Sequence, residues 1–138
     1  MNAMMAARTA QLHQWRVPLT AAPGAVSEAR KQIRAAIWAW DVPVDTDVAV
    51  LLVSELVTNA ITHTVSETIS LGIVAAERGL RVDVHDASSC LPVMLDAAAD
   101  AETGRGLKLV ASLSDEWGCY RTPAGKAVYF TLGLQPAR

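Results

Sequence analysis

Two polar residues interrupt an otherwise apolar run, Leu51-Leu-Val-Ser-Glu-Leu-Val-Thr-Asn-Ala-Ile-Thr-His63. If the run is helical, four-residue spacing puts Glu55, Asn59 and His63 near one face, while apolar side chains occupy most of the remainder. An enclosed, ionised Glu needs water, a counterion or strong hydrogen bonding, because an unpaired carboxylate is very costly in a dry interior. Mg²⁺ and phosphate oxygens meet that need, directly or through water. A helix-cap network or a solvated polar stripe has the same spacing and stays open as the alternative. His63 lies beside Thr62 and Thr64 near the expected helix end, where exposure or capping is sufficient.

Asp86-Ala-Ser88 follows a β-type segment, so Asp86 is placed to accept a hydrogen bond from the amino group of a purine, or to form an ordinary Asx turn. In Glu102-Thr-Gly-Arg-Gly-Leu107, Gly104 and Gly106 flank the start of a helical stretch. Small residues there admit an anion to free backbone N–H groups, and Arg105 adds a charged fork toward phosphate or a protein partner. A plain loop-to-helix transition explains the same residues. Both the Walker pattern and the dinucleotide GxGxxG pattern are absent. Lys126, in Gly125-Lys-Ala-Val-Tyr-Phe130, is expected on a solvated strand edge, with approach to a ligand as the other option. Zinc is a poor fit to two cysteines, Cys90 and Cys119, and three histidines, His13, His63 and His85, without close ligand spacing. Ser54 and Ser88 lack the GxSxG elbow of a hydrolase nucleophile.

These residues need a scaffold, and the apolar periodicity supplies one. Trp15–Val17 reads as a short strand, and Ser27–Trp40 as a helix capped by Ser27. Asp45 caps a second helix ending at His63 or Thr64, too apolar around its circumference to lie on the surface. Strands are expected at Thr68–Val74 and Leu80–His85 around a turn at Glu77–Gly79. A loop then leads to a helix at Gly104–Leu113, and a second hairpin pairs Glu116–Arg121 with Lys126–Leu132. The fold class is α+β, with a mostly antiparallel sheet covered by helices. At 138 residues the chain fits one domain, residues 15–138, after a flexible start at 1–14.

Composition narrows the function further. Apolar residues make up 51% and charged residues 19%, which suits a folded core rather than disorder. Twelve basic against fourteen acidic side chains give a net charge of −2, so no direct nucleic-acid partner is expected. The six-residue run Val48–Val53 is too short to span a membrane, and the cysteine usage suits a cytoplasmic location.

Taken in order, these motifs resemble the GHKL ATP-binding superfamily, and most closely the anti-sigma regulatory kinases and their actinobacterial ATP-binding relatives. Glu55-Leu-Val-Thr-Asn59-Ala-Ile-Thr-His63 is similar to the family's N box. Val82-Asp-Val-His-Asp86-Ala-Ser88, followed by Pro92, is similar to the G1 box, and Gly104-Arg-Gly-Leu-Lys-Leu-Val110 to the G2 box. Gly125–Phe130 is similar to the terminal strand, so the resemblance covers about residues 15–132. Ser88 stands where many members of the superfamily have glycine, and the expected ATP lid, Leu91–Thr103, is short.

The resemblance implies a two-layer α/β sandwich of the GHKL (Bergerat) type with a mixed, mostly antiparallel sheet. It also implies ATP and Mg²⁺ as cofactors. Asn59 is then the Mg²⁺ ligand, Asp86 the adenine reader, and Ser88, Gly104, Arg105, Gly106 and Leu107 further nucleotide-binding positions. Glu55 is the general base for transfer of the ATP γ-phosphate to a serine or threonine of a regulatory partner. The implied partners are a sigma factor and an anti-sigma-factor antagonist, with homodimerisation an option. The alternatives are a noncatalytic ATP-sensing interaction module and a protein-binding domain without nucleotide.

Overall fold

The computed structural model describes residues 12–88 and 102–135. Five strands form one sheet in the order β1-β2-β3-β5-β4, with every described ladder antiparallel. They are β1 (His13–Thr20), β2 (Thr68–Ala76), β3 (Gly79–Asp86), β4 (Glu116–Thr122) and β5 (Gly125–Gly133). Three helices, α1 (Gly24–Ala39), α2 (Thr46–His63) and α3 (Glu102–Leu113), complete an α/β sandwich. The mostly antiparallel sheet expected from the sequence is therefore present. Among the described residues, no helix is long and apolar enough to cross a membrane.

α1 starts at Gly24, with Pro23 at the N-cap position, rather than at Ser27. Proline's fixed φ suits a helix start, so the helix begins before Ser27, which becomes an exposed interior position. Its buried stripe, Ala25, Ala29, Ile33, Ala36 and Ile37, has helical spacing. The helix ends at Ala39 with Trp40 as its C-cap, and Asp41 follows in the left-handed region at φ 51°, with Val42 N–H donating to the Ile37 carbonyl at 3.1 Å. That bond satisfies one of the carbonyls a helix end leaves free.

α2 starts as the sequence indicates, with the Asp45 side chain accepting from Val48 N–H at 3.1 Å. It packs against α1, α3 and the central strands β3 and β5. Three-sided packing explains why Leu52, Val53, Leu56 and Val57 are all fully buried.

Period-two alternation sorts the sheet into two faces. Leu71 and Ile73 of β2, Val82 and Val84 of β3, and Val128 and Phe130 of β5 join the helices in the core. On the opposite face Arg16 reaches across Gly72 to Asp83, donating at 2.8 and 2.9 Å to its two carboxylate oxygens. Asp83, which strand alternation places on the polar side, is thereby only 8% exposed.

Candidate functional site

Glu55 and Asn59 sit one turn apart on α2, as their spacing requires. Glu55 is half-buried, and Asn59 is 4% exposed. Both polar atoms of the Asn59 amide are buried without a hydrogen-bond partner. Buried amides are nearly always satisfied, so this one could take a hydrogen bond or a metal contact from a ligand. His63 ends the helix and is exposed.

Directly before Glu55, Ser54 is held by two bonds. Its Oγ donates to the Val50 carbonyl at 2.7 Å and accepts from Arg30 Nε at 2.7 Å. Arg30 comes from α1, so helix-to-helix packing fixes the turn that carries Glu55. The sequence offers no local signal for this contact.

α3 brings the glycine segment to the same place. A Cβ on Gly106 would lie 3.3 Å from Glu55 Oε1 and 3.6 Å from its carboxyl carbon. The absence of a side chain at Gly106 is thus what lets the Glu55 carboxylate approach the backbone of α3. The helix begins at Glu102, two residues before the expected start. Gly104 consequently falls among the first N–H groups of the helix, which have no intrahelical acceptor, whereas Gly106 lies within the hydrogen-bonded ladder. Leu107 is buried in the core at 2% exposure. The expected lid lies outside the described residues as far as residue 101, as does Cys90.

Asp86 closes β3 on the helix-facing side of the sheet, in line with Val82 and Val84. Its Oδ1 accepts the Ser88 backbone N–H at 2.7 Å, while its Oδ2 is buried with no hydrogen bond. One carboxylate oxygen therefore builds the Asx-type turn, and the other is available to a donor. Ser88 is itself buried at 7% exposure. Gly125, at φ 156°, faces the Asp86 carbonyl so closely that a Cβ would collide with it.

The expected exposed edge position of Lys126 is not found. β4 pairs outside β5, so β5 is an interior strand, and Lys126 lies opposite Asp86 in the β3–β5 ladder. Its side chain is 1% exposed, and Nζ stands 3.7 Å from Asp86 Oδ2. Strand parity contained the signal, because Lys126 alternates in phase with Val128, Phe130 and Leu132. Next to it, burial pushes the Cys119 thiol above its ordinary pKa of 9.0, while the Lys126 ammonium draws it partly back.

The unbonded Asn59 amide and the Asp86 oxygen that lacks a hydrogen bond are buried polar groups that could hold a polar ligand or a divalent cation on the helix side of the sheet. A five-stranded sheet backed by three helices, with these groups on its helix side, defines a GHKL-type ATP-binding domain. The model of the histidine kinase-like ATPase domain family matches residues 19–132, and the chain belongs to that family. Domains of this type generally bind ATP with Mg²⁺. The chain is also similar in fold to the crystal structure of the RsbU and RsbW domains of Rv1364c from Mycobacterium tuberculosis. The TM-score is 0.69 at 21% identity over 91% of this chain and 34% of that one, so the chain spans about a third of that protein's length. No curated protein matches the chain at a significant level.

Proposed function

We propose that the chain is an ATP-binding serine/threonine protein kinase of the anti-sigma-factor type, which modifies a regulatory partner in transcription control. The observation that carries this reading is the contact between Glu55 and Gly106, beside the unsatisfied Asn59 amide. A carboxylate held at the G2 helix is suitably located for a base acting on an incoming hydroxyl.

The residues have separable roles. Asn59 offers its amide oxygen to Mg²⁺. Asp86 accepts the amino group of the base through Oδ2, with Oδ1 and the Ser88 N–H fixing the carboxylate. Gly104 leaves room and a free N–H for phosphate at the start of α3, Arg105 adds positive charge, and Leu107 anchors that helix to the core. Glu55 accepts the proton of a partner serine or threonine as that oxygen attacks phosphorus. When bound, ATP would supply the γ-phosphoryl group, with the β–γ phosphoanhydride bond breaking and ADP leaving, and Mg²⁺ would neutralise the phosphate charge. The partners are a sigma factor and its anti-sigma-factor antagonist.

Partner pull-down, incubation with ATP and Mg²⁺, and mass analysis test the reading. A +80 Da shift on a partner serine or threonine is expected, and Glu55→Gln should reduce transfer by about 10²–10⁴-fold with nucleotide binding retained. Transfer at the wild-type rate by Glu55→Gln refutes the base assignment. ATP-dependent partner binding without the mass shift would instead indicate a noncatalytic nucleotide sensor.

A further inference from the structure

At the end of the sheet remote from Asp86 lies a cleft of about 330 Å³, made of residues that the proposed nucleotide site does not use. Its volume falls within the range of about 300–1,000 Å³ usual for small-molecule sites. The β2–β3 turn, the end of β5 and the start of β4 form its walls, with Arg78 and Arg81 on one side and Asp115 and Glu116 on the other. β3 runs from Gly79 at this cleft to Asp86 at its other end, about 23 Å at roughly 3.3 Å per residue, so the two places are distinct.

Strand register fixes where the charges stand. Val74, Arg81, Thr131 and Glu116 are opposite one another across β2, β3, β5 and β4, and form one row on the helix-free face. Arg81 and Glu116 are two strands apart, about 10 Å between Cα atoms. Tyr129 keeps them from closing that distance. The Arg81 guanidinium lies 3.9 Å over its ring, and its hydroxyl donates to Glu116 Oε2 at 3.4 Å. Gly118 makes room for the ring, since a Cβ there would lie 2.8 Å from it. Each charge therefore meets a neutral aromatic side chain rather than its opposite. The two ion pairs among the described residues, Arg16–Asp83 and Lys126–Asp86, lie elsewhere. Asp115 uses Oδ2 to accept the Gly133 N–H, which fixes the acidic wall to the end of β5.

We propose that this cleft binds a small zwitterion, an ammonium and a carboxylate carried on an apolar frame. The carboxylate lies on Arg78 and Arg81, the ammonium on Asp115 and Glu116, and Val74 and Leu132 give apolar surface to the frame. A lone anion would meet the acidic wall and a lone cation the basic one, so both charges must come on one molecule. A span of two strands suits charges separated by a peptide unit better than the adjacent charges of a free amino acid, so a short apolar peptide is the expected source. The assignment does not rest on the nucleotide reading of the helix side.

The test is calorimetric titration of the full chain, without nucleotide, with leucyl-leucine, N-acetyl-leucyl-leucine, leucyl-leucinamide and leucine. The dipeptide should bind saturably, and blocking either of its charges should weaken binding about 10–100-fold. Arg81→Gln should narrow the preference for the dipeptide over its amide and keep the preference over the acetylated form. Glu116→Gln should do the reverse, a crossed pattern that a merely structural role would not produce. Circular dichroism reports folding, and if Arg81→Gln does not fold, Arg78→Gln in the exposed turn reads the same carboxylate preference. Tighter binding of leucine than of the dipeptide, with the same crossed pattern, would support the zwitterion and make a free amino acid its source. The assignment is overturned if the folded wild type binds neither compound, if the blocked forms bind equally well, or if the variants leave both preferences unchanged. None of these results bears on nucleotide binding.

Discussion

Replacing Gly106 by alanine sets helix propensity against the Glu55 contact. In an α-helix the change contributes about 1 kcal/mol, because glycine loses more backbone entropy on folding. The new Cβ would stand 3.3 Å from Glu55 Oε1, closer than ordinary contact, whereas the Glu55 Cβ is at 3.7 Å. The carboxylate must therefore yield by a few tenths of an ångström, while its stem stays in place. An off-rotamer displacement costs roughly 0.5–1.5 kcal/mol, so the two effects nearly cancel in the wild-type background. In a Glu55→Ala background the obstruction is gone, and Gly106→Ala should give its full stabilisation, about 3 °C in melting temperature for a domain of this size. Thermal melts of the four proteins close the double-mutant cycle. Phosphoryl transfer by the single Gly106→Ala variant should fall about tenfold, since a 1 Å misplacement alone can cost about 10²-fold. The reasoning fails if Gly106→Ala changes the melting temperature equally in both backgrounds, because the glycine would then serve backbone packing and not the carboxylate.

Two further predictions concern groups outside the Glu55–Gly106 contact. Gly72→Ala would push the Arg16 guanidinium off Asp83, and since the Arg16 side chain is 53% exposed the expected loss in urea unfolding is modest, about 1 kcal/mol. The loss should be smaller in an Asp83→Asn background, and full additivity would contradict a shared contact. Cys119 keeps its proton in the folded state above the ordinary thiol value of 9.0, so unfolding releases a proton once the pH passes that value. The unfolded chain then binds fewer protons than the folded one, and stability falls with rising pH until the folded thiol also ionises. Cys119→Ala should flatten that part of the stability–pH curve, measured by denaturation between pH 8 and 10, and an identical slope in both proteins would refute the assignment.

Much of the scaffold was legible because its signals are local. Asp45 before an apolar run marks a helix start, and Leu80, Val82 and Val84 alternate as a strand over a core must. The start of α1 was misplaced because Ser27 resembles a cap, while Pro23 had already fixed the backbone for a helix. Strand order was less accessible. Placing Lys126 at an edge assumed that β5 ends the sheet, but β5 follows β4 back inward and pairs with β3. The Glu55–Gly106 contact joins residues about fifty positions apart, and no periodicity within either segment specifies how α2 and α3 face each other. Arg30 and Ser54 are similarly joined only by helix packing.

The distribution of satisfied and unsatisfied polar groups is itself informative about where ligand binding belongs. On the helix-free face of the sheet the polar side chains find partners: Arg16 bonds Asp83, His85 meets Thr122 at 2.6 Å, and the Arg81 guanidinium lies 3.9 Å over the Tyr129 ring. On the helix side, Asn59 and Asp86 keep unbonded buried atoms. Gln32 also leaves an oxygen unbonded, but its nitrogen is held by Glu28 at 2.9 Å, whereas Asn59 is unbonded through both amide atoms. An apolar residue at Asn59 would remove that cost and suit the surrounding helix better. Local rules are broken most often where function requires it. By that criterion the defect in the packing of α2, rather than the most polar surface of the sheet, is what supports placing the proposed nucleotide site on the helix side.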